Sequence, residues 1–180
     1  IHEQKAIPGR LNQLIAKFAT RIGVSYESTL PFFPESKAVY TGYPLRKSIS
    51  LSDEDPSKIN KKYNIPEKNK VLFVFGGSGG AKTINEAMVE IIPMLLSIED
   101  LTVIFATGRG YSKRYKAYDE TVDLLRQSNI PTEIEKRLII REYFENIAEI
   151  YAISDLIVCR AGAGTIKEIT SICMPSILIP

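Results

Sequence analysis

The sequence predicts a doubly wound α/β domain built on a parallel sheet, and three observations carry that prediction. From Asp55 onward, short apolar runs alternate with segments whose apolar residues recur every three or four positions. The runs, such as residues 71–75, are continuously apolar, as strands buried on both faces require. Two of the turns that leave such runs, at 76–81 and 161–164, are rich in glycine.

Each element follows from local chemistry. Pro8-Gly9 opens a segment that places Leu11, Leu14, Ile15, Phe18 and Ile22 on one face of an expected helix, with Lys17 and Arg21 on its polar side. Packing of that face on a sheet is the reading preferred over a helix lying on a membrane surface. Short strands are expected at 24–26 and 38–41. The stretch Thr41-Gly-Tyr-Pro-Leu-Arg46 then enters a polar run, 47–55, which reads as a linker between domains. Asp55-Pro56 is a helix opening, an acceptor at the cap followed by proline, and this helix ends near Tyr63-Asn64. Strand 71–75 leads through glycines to a helix with Ile84, Ala87, Met88, Ile91 and Leu95 on one face, which Pro93 kinks or restarts. Strand 102–106, helix 112–127, strand 138–140, helix 146–153, strand 156–159, helix 165–172 and strand 176–179 complete the alternation. The interleaved Tyr111, Lys113, Arg114, Tyr115, Lys116 and Tyr118 read as a solvated helix face with aromatic edges on the core, in preference to a nucleic-acid surface.

Composition narrows the function. The 180 residues are 44% hydrophobic and 24% charged, which excludes disorder and coiled coil. Twenty-three basic against 21 acidic residues give a net charge of +2, too balanced for bulk-charge binding of nucleic acid. No apolar run approaches the ~18–20 residues of a membrane span. Cys159 and Cys173, both in apolar stretches, are expected to be small buried hydrophobes, and with one histidine, His2, no metal-ligand set is expected. The chain starts at Ile1 and stops at Pro180 directly after an apolar run, so it is expected to be an internal fragment.

In a doubly wound sheet, ligands bind at the carboxyl ends of the strands, so the two glycine turns are the places to look. In Gly76-Gly-Ser-Gly-Gly-Ala-Lys-Thr83, glycines let amides approach an anion, and a helix start adds its dipole. A dinucleotide fingerprint fails because Lys82 stands where its third glycine belongs. A P-loop nearly fits, but Ala81 replaces a required glycine and no strand ends in a magnesium-binding Asp. A phosphate site of another nucleotide class, and a turn that serves only helix–strand packing, remain. In Arg160-Ala-Gly-Ala-Gly-Thr165 with Glu168, one reading is a capping box between Thr165 and Glu168. The other gives the helix start to a diphosphate and Glu168 to a ribose.

His2-Glu-Gln with Pro8-Gly9, Thr41-Gly-Tyr-Pro-Leu-Arg46, Gly76-Gly-Ser-Gly-Gly-Ala81 with Asn85, and Arg160-Ala-Gly-Ala-Gly-Thr165 with Glu168 occur in one order along the chain. Together they resemble the bacterial MurG-type N-acetylglucosaminyltransferases, over essentially the whole chain. The resemblance implies a GT-B architecture of two Rossmann-like domains. Residues 1–46 would then be the tail of the acceptor-binding domain, and 47–180 an incomplete UDP-sugar domain. It implies inverting transfer of N-acetylglucosamine from UDP-N-acetylglucosamine to the 4-hydroxyl of the muramic sugar on a polyprenyl diphosphate, with no metal or other cofactor. It also implies a peripheral enzyme on the cytoplasmic face of the inner membrane, meeting the bilayer through the acceptor half. By motif, Arg46, Ser78, Phe144, Ala163, Gly164, Thr165 and Glu168 are expected to bind the donor, and Gly76, Gly77, Gly79, Gly80 and Gly162 to form the phosphate loops. Phe144 marks the place where backbone groups hold uracil, its own side chain being equally suited to the core. The catalytic base is unknown; Glu3 is a weak candidate, and a buried polar residue at a strand end is the preferred reading of it. Lys5, Tyr43 and Gly79 depart from the family's usual Asn, Asn and Gln. The alternatives are a P-loop-like nucleotide hydrolase and a nucleotide-sugar-binding subunit of a split glycosyltransferase.

Overall fold

The structure, a computed structural model, describes residues 1–45, 49, 55–110, 115–128, 130–131 and 135–180. Arg46, most of the 47–55 linker, and Tyr111, Lys113 and Arg114 of the aromatic–basic cluster lie outside the described residues.

Two parallel sheets organise the chain. The first joins β1 (His2–Glu3), β2 (Ile22–Val24) and β3 (Ala38–Tyr40) in that order, over a small core of Ala16, Ile22, Val24 and Phe33. The expected amphipathic helix is short: α1 covers Arg10–Ile15 and Ile22 already belongs to β2. The apolar periodicity runs on because a buried strand follows the helix. Contrary to the expectation of packing on a sheet, Leu11, Leu14 and Phe18 are 69%, 61% and 87% exposed. Nor does β2 reach Tyr26, which precedes a 3-10 turn over Glu27–Phe32.

Helix α2 (Pro56–Tyr63) begins as the sequence dictates. The Asp55 side chain accepts the Ser57 amide, Pro56 occupies the first position, and Asn64 closes the helix at a left-handed φ of 55°. Then follow β4 (Lys70–Phe75), α3 (Lys82–Leu96), β5 (Leu101–Ala106), α4 (Ala117–Gln127), β6 (Leu138–Arg141), α5 (Ile147–Ile153), β7 (Leu156–Arg160), α6 (Ala163–Ser171) and β8 (Ser176–Ile179). The second sheet has the order β6-β5-β4-β7-β8, all parallel. Side chains alternate across it, and each face is covered. Val71, Phe73 and Phe75 share one core with Ile150 and Tyr151 of α5 and Ile169 of α6. Leu72 and Val74 share the other with Ile84, Met88, Ile92 and Leu96 of α3 and Leu125 of α4. Helices on both faces of a parallel sheet make the domain doubly wound, as expected.

Several details differ from the sequence reading. The buried stripe of α3 is Ile84, Asn85, Met88, Ile92 and Leu96, whereas Ala87 and Ile91 face solvent. The helix is apolar on more than one face, so Ile84, Met88, Ile92 and Leu96 fit a helical stripe as well as the expected set does, and the face that is buried also takes in Asn85. Pro93 lies in the last turn of one continuous helix, so it neither restarts α3 nor ends it. Helix α4 starts at Ala117, after Lys116 as its cap, and Tyr115 is buried ahead of it, so the expected helix does not run through 115–116; its expected start at 112 lies outside the described residues. Cys159 is buried, and burial pushes its thiol up to about 11. Cys173 is exposed, in a left-handed turn between α6 and β8, and is not a core residue. Among the described residues no helix is long and apolar enough to cross a membrane.

Candidate functional site

The two glycine turns leave adjacent strands. β4 pairs with β7, Phe75 opposite Cys159, and this is the point where the strand order reverses. A crevice opens at such a reversal because the chains leaving the two strands diverge to opposite faces.

The first turn is held from several sides. A β-carbon on Gly76 would lie 2.5 Å from the Ala81 amide nitrogen, so the turn closes tightly on itself. Gly80, at φ +77°, and Gly108, at φ +88°, meet backbone to backbone, and a β-carbon on Gly80 would lie 2.2 Å from the Thr107 carbonyl oxygen. The Arg109 amide donates to the Ser78 carbonyl at 3.0 Å. Buried Asn85 donates to the Thr107 carbonyl (3.0 Å) and lies 2.8 Å from the Tyr115 hydroxyl. Outside the turn, Arg109 pairs with Glu145 at 2.8 Å and covers the Tyr143 ring at 4.4 Å.

The second turn is short. Helix α6 begins at Ala163, with extended Gly162 as its cap, two residues before the expected start. Thr165 is therefore the third helical residue and caps nothing, which removes the capping-box reading. Glu168 is bound elsewhere: its Oε2 accepts the hydroxyl of buried Tyr151 at 3.0 Å. This fixes the carboxylate and leaves its second oxygen able to accept from a ligand.

Neither α3 nor α6 has a side-chain cap, and first-turn amides have no acceptor within their own helix. Both helix starts border one cavity of about 510 Å³, with Gly76, Gly77, Gly80 and Gly162 in its wall. Lys82 and Arg160 add positive charge there. A second cavity, of about 260 Å³, adjoins it through Gly77 and Thr165. Ser78, Phe144, Gly164 and Glu168 line this second cavity, over a floor that includes Phe73, Phe75 and Ala106. Phe144 does so while buried in the core, edge-on to Phe73 at 5.9 Å and to Tyr63 at 6.2 Å. Ala163 is the first residue of α6, and neither it nor Gly79 lines either cavity.

Glu3 stands apart from this crevice, buried at the end of β1. It accepts from the Lys5 amide (3.0 Å), the Gly9 amide (2.9 Å) and Asn12 Nδ2 (2.9 Å), and so ties the loop after β1 to the first turn of α1. Burial pushes its pKa up, but these hydrogen bonds outweigh burial and hold it below the ordinary value of 4.5. With both oxygens engaged, this carboxylate organises a loop and is a poor proton acceptor. Among the described residues no group of three or more His, Cys, Asp and Glu side chains is placed to hold a metal ion.

Sequence reasoning assigned no role to Lys82, Arg160, Tyr151 or the 107–110 turn. Lys82 and Arg160 had a signal, a cation flanking a glycine turn at a strand end. Tyr151 and the 107–110 turn had none, because they brace the site from other elements, Tyr151 through Glu168 and the Arg109 amide through the Ser78 carbonyl.

The chain is similar to known proteins over its whole length. It is 37% identical to the UDP-N-acetylglucosamine--N-acetylmuramyl-(pentapeptide) pyrophosphoryl-undecaprenol N-acetylglucosamine transferase of Clostridioides difficile, covering 100% of this chain and 42% of that protein. The namesake protein of Desulforudis audaxviator is 32% identical, again over 100% of this chain and 46% of its own. The chain thus spans about half the length of the curated relatives it matches. Among solved structures, that of Acinetobacter baumannii MurG superposes with a TM-score of 0.59 at 27% identity, over 100% of this chain and 45% of that one. Residues 71–180 match the model of the glycosyltransferase family 28 C-terminal domain. Those residues include both glycine turns, the strand reversal between them and Glu168, so the chain belongs to glycosyltransferase family 28 and carries its C-terminal domain on the Rossmann-like sheet described above.

Proposed function

We propose that this chain is the donor-binding part of an enzyme that transfers N-acetylglucosamine from UDP-N-acetylglucosamine to a muramoyl-pentapeptide acceptor on a polyprenyl diphosphate. The observation that carries the reading is the convergence of two uncapped helix starts on adjoining cavities at the strand reversal, with Glu168 in the wall. In this assignment the diphosphate lies against the first-turn amides of α3 and α6, with Ser78 beside it. The ribose hydroxyls donate to Glu168, and the uracil meets the backbone near Phe144. As the glycosidic bond breaks, UDP departs with additional negative charge. Two helix dipoles, free amides, Lys82 and Arg160 are placed to stabilise that charge.

Residues 1–46, including Arg46, are assigned to the acceptor-side domain and its junction, and residues 47–180 to the donor domain. The whole enzyme is assigned to the cytoplasmic face of the inner membrane, bound peripherally through its acceptor half. Family membership disfavours a P-loop hydrolase, and relatives about twice this chain's length favour one polypeptide over a split enzyme.

Titration calorimetry on the full-length protein in EDTA tests the reading. UDP-N-acetylglucosamine is expected to bind, and a labelled sugar to pass from it to a polyprenyl-diphospho-muramoyl acceptor. Preference for ATP with magnesium would overturn the assignment.

A further inference from the structure

One wall of the smaller cavity comes from outside the five-stranded sheet and its helices. Tyr43, in the segment that follows β3, lines that cavity together with Ser78, Phe144, Thr165 and Glu168. Its neighbours hold the segment in place. His2 Nε2 lies 3.2 Å from both Thr41 Oγ1 and the Gly42 carbonyl oxygen, and Gly42 turns the chain at φ +68°. A β-carbon on Gly164 would lie 2.9 Å from the Tyr43 hydroxyl oxygen, which places that hydroxyl over the first turn of α6. A second bridge joins α6 to the turn after β2, Lys167 Nζ over the Tyr26 ring at 5.6 Å. Glycine inside a helix costs about 1 kcal/mol relative to alanine. At position 164 that cost has a local reason, because a methyl group would occupy the space next to the phenol.

We infer that Tyr43 contacts the ligand of this cavity: its hydroxyl donates a hydrogen bond to the diphosphate of the bound nucleotide at the start of α6. The inference rests on the reading of the site as a UDP-sugar site. Its consequence is that the nucleotide is gripped from both the β1–β3 segment and the five-stranded domain. The free amides of α6 approach the phosphate from one side and the phenol from the other, and each of these groups donates.

Titration of the full-length protein with UDP and with uridine, in EDTA, separates the possibilities. Tyr43→Phe deletes only the hydroxyl and is expected to weaken UDP about tenfold while changing uridine less than twofold. Gly164→Ala is expected to weaken UDP to a similar extent by pushing the phenol aside. Added to Tyr43→Phe it should have little further effect, because the clashing oxygen is gone. If wild-type protein binds UDP and Tyr43→Phe binds it within twofold, or loses uridine equally, the Tyr43 assignment is wrong. A wild-type protein that does not bind UDP at all overturns the reading of the site, and the role of Tyr43 with it.

Discussion

The two glycine turns flank one crevice, yet they use glycine differently. In the turn after β4, glycine is demanded by the protein itself: Gly76 closes on Ala81, and Gly80 interlocks with Gly108 of the neighbouring turn. In the turn after β7, a β-carbon on Gly162 would meet only Thr165 Oγ1, at 3.7 Å, and one on Gly164 only the Tyr43 side chain. The first turn is a braced scaffold that fixes where α3 begins. The second is open and keeps its surface for whatever enters the cavity. Glycine-rich sequence alone does not separate these uses; the separating fact is what a methyl group would strike.

Substitutions can break this contrast. The largest effect is expected for Gly80→Ala, which forces a methyl group against the Thr107 carbonyl at a backbone angle that disfavours side chains. Roughly 3 kcal/mol or more of stability should be lost, read from urea unfolding. Gly162→Ala should keep stability within about 0.5 kcal/mol, since φ is −72° and space is open. It should nonetheless weaken UDP about five- to tenfold by crowding the approach to the α6 amides. Equal stability losses for the two variants would erase the distinction.

A smaller effect sharpens the comparison from outside both turns. Glu149 of α5 is buried and accepts from Lys62 Nζ (2.6 Å) and Asn146 Nδ2 (2.9 Å), fastening α2 to the segment that carries Phe144. The hydrogen bond from Lys62, above all, holds its pKa below the ordinary 4.5. Folding therefore favours the ionised form. That contribution is complete above the ordinary glutamate value and is lost as pH falls through the depressed one. Lys62 is mostly exposed, so solvent screens the pair. Glu149→Gln is expected to cost about 1 kcal/mol at pH 7, and its difference from wild type should close in acid. A difference that persists unchanged at low pH would contradict the sign.

Much of this was legible in the sequence, and what was not has physical causes. The parallel sheet could be read because strands buried on both faces are continuously apolar, and the start of α2 because Asp55-Pro56 is a local signal. The extent of α1 was misread because Ile22 extends a helical spacing into a strand. The α3 stripe is ambiguous in sequence because apolar residues lie on more than one face of that helix, and Asn85, buried by bonds to Thr107 and Tyr115, gives no apolar signal. In the site, Ser78, Phe144, Gly164, Thr165 and Glu168 come together in one cavity, while Arg46 lies outside the described residues. Tyr151 and Arg109 could not be assigned from sequence, since their contacts join distant segments and carry no motif. Tyr43 stands within a motif but departs from its usual Asn, so the motif gives its side chain no role.

The central claim is that Glu168, set by Tyr151, receives the ribose of a uridine nucleotide whose diphosphate lies at the helix starts. Calorimetry with UDP and 2′,3′-dideoxy-UDP, on wild-type protein and Glu168→Ala, tests it most directly. Wild type should favour UDP by about 1.5–3 kcal/mol, the worth of hydrogen bonds to a charged acceptor. Glu168→Ala should bind the two nucleotides equally, because the acceptor that tells them apart is gone. Undiminished discrimination in the folded variant would show that the ribose is held elsewhere.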